Sequence, residues 1–485
     1  MQQIKFGTDG WRGIIADDFT FENVRIVAQA VAEYVNGLDM GHKGIVVGYD
    51  NRFLSNRFAD TIADVMVQNG IKVYLSGGPL PTPVTAFAVK VHDAAGAVML
   101  TASHNPPEYN GFKFIPDYAG PALPHITEAI EENIKRLQNT AGEWKVFFQE
   151  QAAELAPERT KVAERIMIDP RSEYFEHLEQ LVDMQAIADA NLQIMVDSMH
   201  GSGIGYLDAM LTRAGIIVEP NRCNRDPLFG GNLPEPTSQT LACCGVWVKK
   251  GQGRLALALD GDADRFGIID TTGEYITPNQ FFPVLYHHLI TKKGLVGPVT
   301  RTVATTHKVD RIAEKHGQAS YETAVGFKFI GQNLLEKGCV LGCEESGGLS
   351  IKGHIPEKDG ILAGLLAAEI VAVNRKNLAE LTAEVDREYG GKLYSDRLDL
   401  HTTPIQKQIV LDKLKDFTPD RVAGSAVIDK ITLDGVKLVL DGGEWALVRP
   451  SGTEPLFRIY AEATDEQRVH QIQDDIAQQI GLSVE

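Results

Sequence analysis

The strongest constraint on this chain's fold is a repeated alternation of short apolar segments with longer amphipathic ones. Apolar runs typical of buried β-strands lie at residues 44–49, 71–75, 95–100, 193–196 and 254–259. Segments with helical periodicity lie among them, as at residues 21–35 and 58–69. Strands separated by helix-length segments usually form parallel or mixed sheets whose functional loops follow the carboxyl ends of the strands. The pattern therefore predicts an α/β protein.

A chain of 485 residues is longer than one hydrophobic core usually organises, so several domains are expected. The pattern changes near residue 168, after the turn at 270–273 and near Gly390. In the last part of the chain, strands precede a helix for which residues 464–467 form a capping-box signature. We predict α/β domains with mixed sheets over residues 1–168, 169–274 and 275–390, and an α+β domain over residues 391–485.

The chain is acidic, with a formal net charge of -18 at pH 7. An acidic surface opposes non-specific binding to nucleic acid and to anionic lipid, so neither partner is expected, and an anionic substrate needs a locally basic pocket. No apolar run approaches the ~18 residues of a membrane-spanning helix, and residues 1–6 lack the apolar core of a signal peptide. The five cysteines form no C-x-x-C pair, which signals neither a disulfide framework nor a zinc site. We expect a cytoplasmic protein.

A serine and a histidine follow the apolar strand at residues 95–100. Ser103 and His104 occupy a strand-exit loop, where nucleophiles are often displayed. A serine hydroxyl needs a neighbouring base or a metal ion to act as a nucleophile, and a phosphoryl group on it would add about 1.5 to 2 negative charges. Ser, His, Asn and Pro are also ordinary turn residues. By itself, the loop is compatible with a catalytic serine and with a plain turn.

Three aspartates, Asp260, Asp262 and Asp264, follow the strand at residues 254–259. In a flat strand the outer two would lie about 13 Å apart, too far to share one ion, so the backbone must curl at the small residues between them. Converging carboxylates form a hard oxygen site suited to Mg²⁺. The alternative is a solvated acidic turn.

The sequence lacks residues that three other ligand-binding motifs require: the EF-hand, the phosphate-binding P-loop and the dinucleotide-binding glycine fingerprint. An EF-hand loop that opened at Asp260 would require glycine where Arg265 stands and glutamate where Thr271 stands. No G-x-x-x-x-G-K-[ST] loop occurs, and the glycine-rich run 201–205 stops short of G-x-G-x-x-G. The common nucleotide-hydrolysing and dinucleotide-binding enzymes are therefore disfavoured.

A loop of small residues between two arginines joins two strands of the last domain. Free N–H groups, hydroxyls and guanidinium groups can together bind a phosphate dianion, whereas a tight hairpin is the simpler alternative. In a chain this acidic, two arginines at one turn favour the phosphate site. The candidate phosphate ligands are Arg449, Ser451, Gly452, Thr453 and Arg458.

Weaker signals come from another glycine-rich loop and from two cations. Glu344 and Ser346 could bind the vicinal hydroxyls of a sugar, or could face solvent. Arg12 supplies a cation near the start of the chain. Lys113 follows Ser103 by ten residues and could reach the same region as an acid or base, although a lysine in an aromatic turn is also a common surface feature.

Together and in this order, the motif loops resemble those of the α-D-phosphohexomutase superfamily, which includes phosphoglucomutases, phosphomannomutases and phosphoglucosamine mutases. The resemblance spans the chain and implies four domains around a central cleft, a bound Mg²⁺ and a hexose phosphate substrate. The implied roles are a phosphoserine at Ser103 with catalytic partners His104, Lys113, Arg12 and Arg265; Mg²⁺ ligands Ser103, Asp260, Asp262 and Asp264; sugar ligands Glu344, Ser346 and Lys328; and ligands of the non-reacting phosphate Arg449, Ser451, Gly452, Thr453 and Arg458.

The resemblance also implies a mechanism, in which phospho-Ser103 phosphorylates a hexose monophosphate and the resulting hexose 1,6-bisphosphate reorients and returns its other phosphate. Gly348 stands where phosphoglucosamine mutases often carry histidine, and residues 325–330 resemble a glucose-type specificity loop. Glucose is therefore the expected sugar, with mannose second and an amino sugar third. A glucose 1,6-bisphosphate synthase of the same fold and a non-catalytic sugar-phosphate sensor are the alternatives.

Overall fold

The computed structural model describes residues 4–5, 10–139, 163–251, 253–451 and 455–482. The chain forms two compact units. One contains Met1–Ile276 and Gly347–Asn377, and the other contains Thr277–Ser346 and Leu378–Glu485. The first unit is therefore discontinuous in sequence, because the chain leaves it after Ile276 and returns at Gly347.

A mixed sheet occupies the start of the first unit. Its strands are β1 (Trp11–Ile14), β2 (Ile45–Tyr49), β3 (Val73–Ser76), β4 (Gly96–Leu100), β5 (Tyr109–Pro116) and β6 (Arg165–Ile168), and the accompanying helices are α1 (Phe21–Gly37), α2 (Ser55–Gln68), α3 (Thr82–Val91) and α4 (Pro124–Asn139). The strand order is β1-β5-β4-β2-β3-β6. Strands β2, β3, β4 and β6 are parallel, whereas β5 runs antiparallel to both β4 and β1.

The first helix and strand illustrate how the sequence specifies this layer. Helix α1 begins after Thr20, whose hydroxyl accepts a hydrogen bond from the Asn23 amide at 3.2 Å. Its apolar residues recur at intervals of three and four, so that Val24, Val27 and Val31 are buried together. Strand β2 is a continuous apolar run because both of its faces are buried: Ile45 and Val47 pack in one hydrophobic cluster and Val46 packs in another.

The first unit also contains a second mixed sheet, which follows the first sheet in the chain. Its strands are β7 (Gln193–Asp197), β8 (Ile217–Asn221), β9 (Arg254–Leu259), β10 (Phe266–Ile269) and β11 (Tyr275–Ile276), and the accompanying helices are α5 (Arg171–Leu181), α6 (Met184–Asp189), α7 (Leu207–Arg213) and α8 (Ala242–Val248). The order is β11-β10-β9-β7-β8. Because β7 and β9 are parallel, the loops that follow them emerge at the same edge, and the Ser202 amide donates to the Gly261 carbonyl at 3.0 Å.

The N-terminal part of the second unit contains parallel strands. Strand β12 (Val299–Thr302) pairs with β13 (Ser320–Thr323) and with β14 (Leu341–Glu344). The neighbouring helices are α9 (Pro278–Thr291), α10 (Lys308–Lys315) and α11 (Phe327–Glu336). The next elements, β15 (Gly348–Ile351) and α12 (Gly360–Asn374), belong to the first unit, where α12 packs on β9 and β10.

The C-terminal part of the second unit is α+β. After α13 (Leu378–Glu388), the strands are β16 (Tyr394–His401), β17 (Arg421–Val422), β18 (Ser425–Ile431), β19 (Val436–Leu440), β20 (Trp445–Pro450) and β21 (Leu456–Ala463), with helices α14 (Pro404–Lys415) and α15 (Glu466–Ile480). The antiparallel order is β16-β21-β20-β19-β18-β17. The capping box predicted at residues 464–467 is wrong: Asp465 caps α15 by accepting from the Arg468 amide at 2.8 Å, because an aspartate caps as well as a threonine.

These elements confirm the predicted fold class, with mixed α/β sheets followed by a C-terminal α+β region. The predicted domain borders after residues 168, 274 and 390 stay predictions. Within the described ranges, no helix has both the length and the apolar character needed to cross a membrane.

Candidate active site

Ser103 lies in the loop after β4 and has a left-handed backbone conformation, with φ of 50°. Its amide donates to Thr101 Oγ1 at 2.8 Å, and its carbonyl accepts from the Arg52 guanidinium at 2.7 Å. Its hydroxyl Oγ lies 2.9 Å from Asp260 Oδ2 and 3.3 Å from His104 Nδ1. The buried hydroxyl is therefore held between a carboxylate and an imidazole.

Asp260, Asp262 and Asp264 converge in the loop that follows β9. The backbone curls where the sequence required it, since Ala263 has a φ of 59°. One carboxylate oxygen of each aspartate lies within 4.8 Å of the others. All three side chains are fully buried, which excludes the solvated acidic turn.

The electrostatics and the hydrogen bonding of these three carboxylates are those expected of a cation site. Burial, followed by the charges of Asp262 and Asp264, raises the pKa of Asp260 well above its usual range. Asp262 Oδ1 and Asp264 Oδ1 are buried and accept no hydrogen bond from any residue that the structure describes. Mg²⁺ prefers hard oxygen ligands that carry negative charge. Carboxylate oxygens that accept no hydrogen bond, within a cluster of three carboxylates, therefore fit the predicted ion.

Two ammonium groups contact the same carboxylates. Lys113 lies on β5, whose antiparallel pairing with β4 returns the chain toward the serine loop. Its Nζ donates to Asp262 Oδ2 at 3.2 Å and to Asp264 Oδ2 at 3.3 Å. Lys358 Nζ lies 3.1 Å from Asp264 Oδ2. Burial opposes ionisation of Asp264, but the two lysines outweigh it and hold the pKa of that carboxyl below its usual range.

Arg265 and Arg12 shape the electrostatics around the histidine of the serine loop. The positive charge of Arg265, followed by burial and the charge of Arg12, lowers the pKa of His104 well below its usual value. The imidazole is therefore neutral at pH 7. The Arg265 amide donates to Asp260 Oδ1 at 3.1 Å, and the Arg12 guanidinium donates to Asn105 Oδ1.

Residues outside the sequence motifs also contact the serine loop and the aspartate loop. Arg52 is fully buried, and its guanidinium donates to four carbonyl oxygens between Ser103 and Tyr109. Thr82 Oγ1 donates to Asp262 Oδ2 at 2.6 Å. Arg52, Thr82 and Lys358 belong to none of the sequence motifs, so no signal in the sequence pointed to them.

In the second unit, the candidate sugar ligands lie on a turn and on a helix. Glu344 ends β14 and is buried, and Ser346 follows it, partly exposed. The Glu345 amide donates to Thr305 Oγ1 at 3.2 Å, which anchors the turn. Lys328 lies in the first turn of α11. The turn thus holds a carboxylate and a hydroxyl two residues apart.

The two candidate phosphate arginines lie side by side, because Arg449 on β20 is the direct cross-strand partner of Arg458 on β21. Asp434 Oδ2 accepts from Arg449 Nε at 2.8 Å and from the Val325 amide at 3.0 Å. One carboxylate therefore orients a phosphate-binding candidate and also anchors the segment that precedes α11.

The strands on either side of the loop between the two arginines pair as the two arms of a β-hairpin. Ser451 is buried, and its amide donates to the Leu456 carbonyl at 2.9 Å. Gly452 and Thr453 lie outside the described residues. The hairpin and the phosphate site are compatible with each other, since the hairpin is what sets the two guanidinium groups next to each other.

A buried serine hydroxyl beside three converging carboxylates and several positive side chains is typical of phosphoryl-transfer enzymes. Comparison with known families agrees. Four family models match this chain. Those described as phosphoglucomutase/phosphomannomutase, alpha/beta/alpha domains I, II and III match residues 3–141, 172–273 and 277–389, respectively. The model for the C-terminal domain of the same family matches residues 407–479.

Individual relatives match over nearly the whole chain. A phosphoglucomutase of Komagataeibacter xylinus is 30% identical over 95% of this chain and 88% of its own length. A phosphoglucosamine/phosphogalactosamine mutase of Sulfurisphaera tokodaii is 29% identical over 95% of each chain. The crystal structure of a protein assigned as a phosphomannomutase, from Thermus thermophilus, superposes with a TM-score of 0.83 at 34% identity over 99% of both chains.

The chain belongs to the phosphoglucomutase/phosphomannomutase family of the α-D-phosphohexomutase superfamily. The predicted superfamily is thereby confirmed, and so is the predicted class of intramolecular phosphotransferase. The names of these relatives cover glucose, mannose and amino sugars, so they leave the sugar open.

Proposed function

We propose that the chain interconverts hexose 1-phosphate and hexose 6-phosphate through a phosphoserine at Ser103. The observation that supports this most directly is the 2.9 Å contact between Ser103 Oγ and Asp260 Oδ2 within a buried carboxylate cluster. A phosphoryl group on that hydroxyl would need cationic neutralisation from its surroundings. Bound Mg²⁺, held by the three aspartates and the seryl phosphate, would supply part of that charge.

The residues around Ser103 fit both halves of the reaction. Transfer from Ser103 breaks the P–Oγ bond and forms a bond to the free hydroxyl of a hexose monophosphate. The proton lost by that hydroxyl is gained by Oγ, and His104 carries it, because its neutral Nδ1 lies 3.3 Å from Oγ. Lys113 and Arg265 donate to the phosphoryl oxygens as charge develops. The hexose 1,6-bisphosphate reorients, and the reverse step returns its other phosphate to Ser103.

The second unit supplies groups that bind the substrate without reacting. Charge-assisted hydrogen bonds from paired arginines suit a phosphate dianion, and a carboxylate with a hydroxyl suits sugar hydroxyls. The proposed phosphate ligands are Arg449, Ser451, Gly452, Thr453 and Arg458, and the proposed sugar ligands are Glu344, Ser346 and Lys328.

Glucose is the sugar we propose as preferred, with mannose second. Gly348 in place of histidine and the glucose-type segment at 325–330 support this preference. Amino sugars are the third candidate, supported by a relative of similar identity that is named a phosphoglucosamine/phosphogalactosamine mutase.

A substrate panel tests the proposal. Glucose, mannose, glucosamine and N-acetylglucosamine 1-phosphates are assayed with and without Mg²⁺ and catalytic hexose 1,6-bisphosphate. Glucose 1-phosphate should be converted fastest, and chelation of the metal should abolish conversion. Mass spectrometry should find a phosphate on the peptide that contains Ser103. Ser103→Ala should lose both turnover and phosphate, whereas Ser172→Ala, at an exposed serine, should retain both. Turnover by the Ser103→Ala variant would refute the phosphoserine route.

Product analysis separates the mutase from the bisphosphate synthase. With a sugar bisphosphate as phosphoryl donor, the mutase should accumulate hexose 6-phosphate and only catalytic amounts of hexose 1,6-bisphosphate. Stoichiometric release of the bisphosphate would instead identify the synthase.

A further inference from the structure

A second group of metal-ligand side chains lies in the first unit, apart from the three aspartates of the candidate active site. Asp197 is the last residue of β7, and Cys243 and Cys244 lie in the first turn of α8. One ligand atom of each of the three lies within 4.8 Å of the others. Asp197 and Cys244 are buried and Cys243 is exposed, so the group is reachable from solvent on one side.

The distances within this group match tetrahedral coordination. Zinc–sulfur bonds of ~2.3 Å at a tetrahedral angle place two sulfurs about 3.8 Å apart, and a zinc–oxygen bond of ~2.1 Å places oxygen and sulfur about 3.6 Å apart. Here Cys243 Sγ and Cys244 Sγ are 3.9 Å apart, and Cys244 Sγ lies 3.4 Å from Asp197 Oδ2. The spacings therefore fit one ion, which would share Asp197 Oδ2 with the hydrogen bonds that this oxygen accepts from Asn221 Nδ2, at 2.8 Å, and from the Arg222 guanidinium.

The charges around the group also balance with a divalent cation. The Arg222 guanidinium pairs with the Asp197 carboxylate, its Nε lying 2.9 Å from Oδ1, so this pair is already neutral. A divalent cation that replaces two thiol protons adds two positive charges and creates two thiolates, so the site stays neutral. Asn221 Nδ2 lies 3.7 Å from Cys243 Sγ and 3.9 Å from Cys244 Sγ, where it can donate to the thiolates.

The Cys244 thiol donates a hydrogen bond to Asp197 Oδ2, at 3.4 Å. A cation must therefore displace that proton and take its place between the sulfur and the oxygen. Only an ion with a strong preference for sulfur gains enough from thiolate bonds to do so, which disfavours Mg²⁺ here.

We propose that Asp197, Cys243 and Cys244 form a binding site for a thiophilic divalent cation of the Zn²⁺ and Cd²⁺ type. A water molecule or an external thiol completes the fourth position from the exposed side at Cys243. The adjacent cysteines carry no C-x-x-C signature, so only the fold brings them to Asp197. The site is independent of the proposed mutase activity.

The test is a titration of the reduced, full-length protein with Cd²⁺ in the presence of excess Mg²⁺, which occupies the aspartate cluster. Cadmium–thiolate charge-transfer absorption in the ultraviolet reports sulfur ligation alone. We expect absorption that saturates at one equivalent. Cys243→Ser, at an exposed position, and Asp197→Asn should each weaken binding at least about 10-fold.

Cys223→Ser is the matched control, because Cys223 lies nearby but hydrogen-bonds to the Val196 and Asn221 carbonyls instead. It should leave the titration unchanged. Circular dichroism establishes that each variant is folded. Absence of the absorption in the parent protein, or its retention in the Cys243→Ser variant, would overturn the proposal.

Discussion

Ser103 and Ala263 both adopt left-handed backbone conformations, with φ of 50° and 59°. Residues other than glycine take up this conformation at a cost of about 1 to 3 kcal/mol and retain it where the surroundings impose it. At Ser103, the Arg52 guanidinium imposes it through the carbonyl oxygens of the loop. At Ala263, the curl lets three aspartates converge. The strain therefore lies where the hydroxyl meets the carboxylates.

Gly261 is the residue whose substitution should disturb this meeting point. A Cβ at that position would lie 2.5 Å from the Ser103 carbonyl oxygen, so Gly261→Ala must push the two loops apart. We expect kcat to fall about 100-fold through misplacement of the hydroxyl, with a loss of stability of about 1 to 3 kcal/mol. Gly37→Ala is the control, because a Cβ there meets no atom within 4 Å. Unchanged kcat in Gly261→Ala would contradict the importance of this contact.

Lys358 should be needed for catalysis although no motif contains it. Lys358→Met removes an ammonium group 3.1 Å from Asp264 Oδ2, so kcat should fall about 100- to 1,000-fold. The metal-free variant should also be less stable than the parent, and Mg²⁺ should restore much of the loss by replacing the missing charge. Steady-state kinetics and thermal unfolding measure the two effects. Lys352→Met, at an exposed lysine of the same segment, should change neither.

A site residue could be predicted from the sequence when the residues next to it in the chain form a recognisable motif. Ser103 and the three aspartates each sit in a short motif directly after an apolar strand, so local pattern sufficed. Thr82 and Arg52 reach these motifs only through the sheet order β5-β4-β2-β3, which no local pattern encodes. Single residues in ordinary loops carry no signal until the strands are ordered.

At the level of elements, apolar runs located the parallel strands because those strands are buried on both faces. The runs at 254–259 and 193–196 correspond to β9 and β7, and the helical segment at 21–35 corresponds to α1. Strand direction was not predictable in the same way. Strand β5 is antiparallel to β4, and this reversal is what returns Lys113 to the serine loop.

The N-terminus of α12 carries a stability prediction. Asp359 caps the Ile361 and Leu362 amides at 2.9 Å each and accepts from the Tyr174 hydroxyl at 2.6 Å, all in the buried interior. Asp359→Ala should therefore cost the cap, about 1 kcal/mol. It should also remove the carboxylate partner of the Tyr174 hydroxyl and of His354 Nε2, which lies 2.8 Å from Asp359 Oδ2, at about 1 to 3 kcal/mol for each.

Asp465→Ala is the matched control, because Asp465 caps α15 through one bond at an exposed position and its loss should cost about 1 kcal/mol. Calorimetric unfolding of the two variants compares them. Equal losses would show that the contacts of Asp359 beyond the cap contribute nothing.

The turn between β18 and β19 carries a binding prediction. Asp434→Asn removes the charge that orients Arg449 and weakens the anchor on Val325, both of which depend on Asp434 Oδ2. Under the proposed function, KM for the hexose phosphate should rise about 10-fold with a smaller change in kcat, because a uniform binding interaction is lost. Asp441→Asn, at an exposed turn aspartate, should leave KM unchanged. A fall in kcat at constant KM would assign Asp434 a different role.

At the scale of the whole molecule, the discontinuity of the first unit explains why the contact between Lys358 and Asp264 could not be predicted from the sequence. Lys358 and α12 belong to the same unit as Asp264. In the sequence, however, the segment Thr277–Ser346 lies between Asp264 and Lys358. Composition and spacing indicate several domains, but they do not indicate that a later segment rejoins an earlier unit. The aspartate cluster is therefore completed by a residue that only the tertiary fold supplies.

Folding free energy is a property of the whole chain, and Mg²⁺ should change it through the aspartate cluster. A ligand of the native state at 100 times its Kd adds about 2.7 kcal/mol. Asp260 ionises at a cost, since burial and its neighbours raise its pKa, so Asp260→Asn should be at least as stable as the parent in a chelator. In Mg²⁺ the variant should gain far less. The order of the two unfolding temperatures should thus reverse as metal is added, whereas Asp169→Asn, at an exposed aspartate, should follow the parent throughout. A full Mg²⁺ gain in Asp260→Asn would place the ion elsewhere.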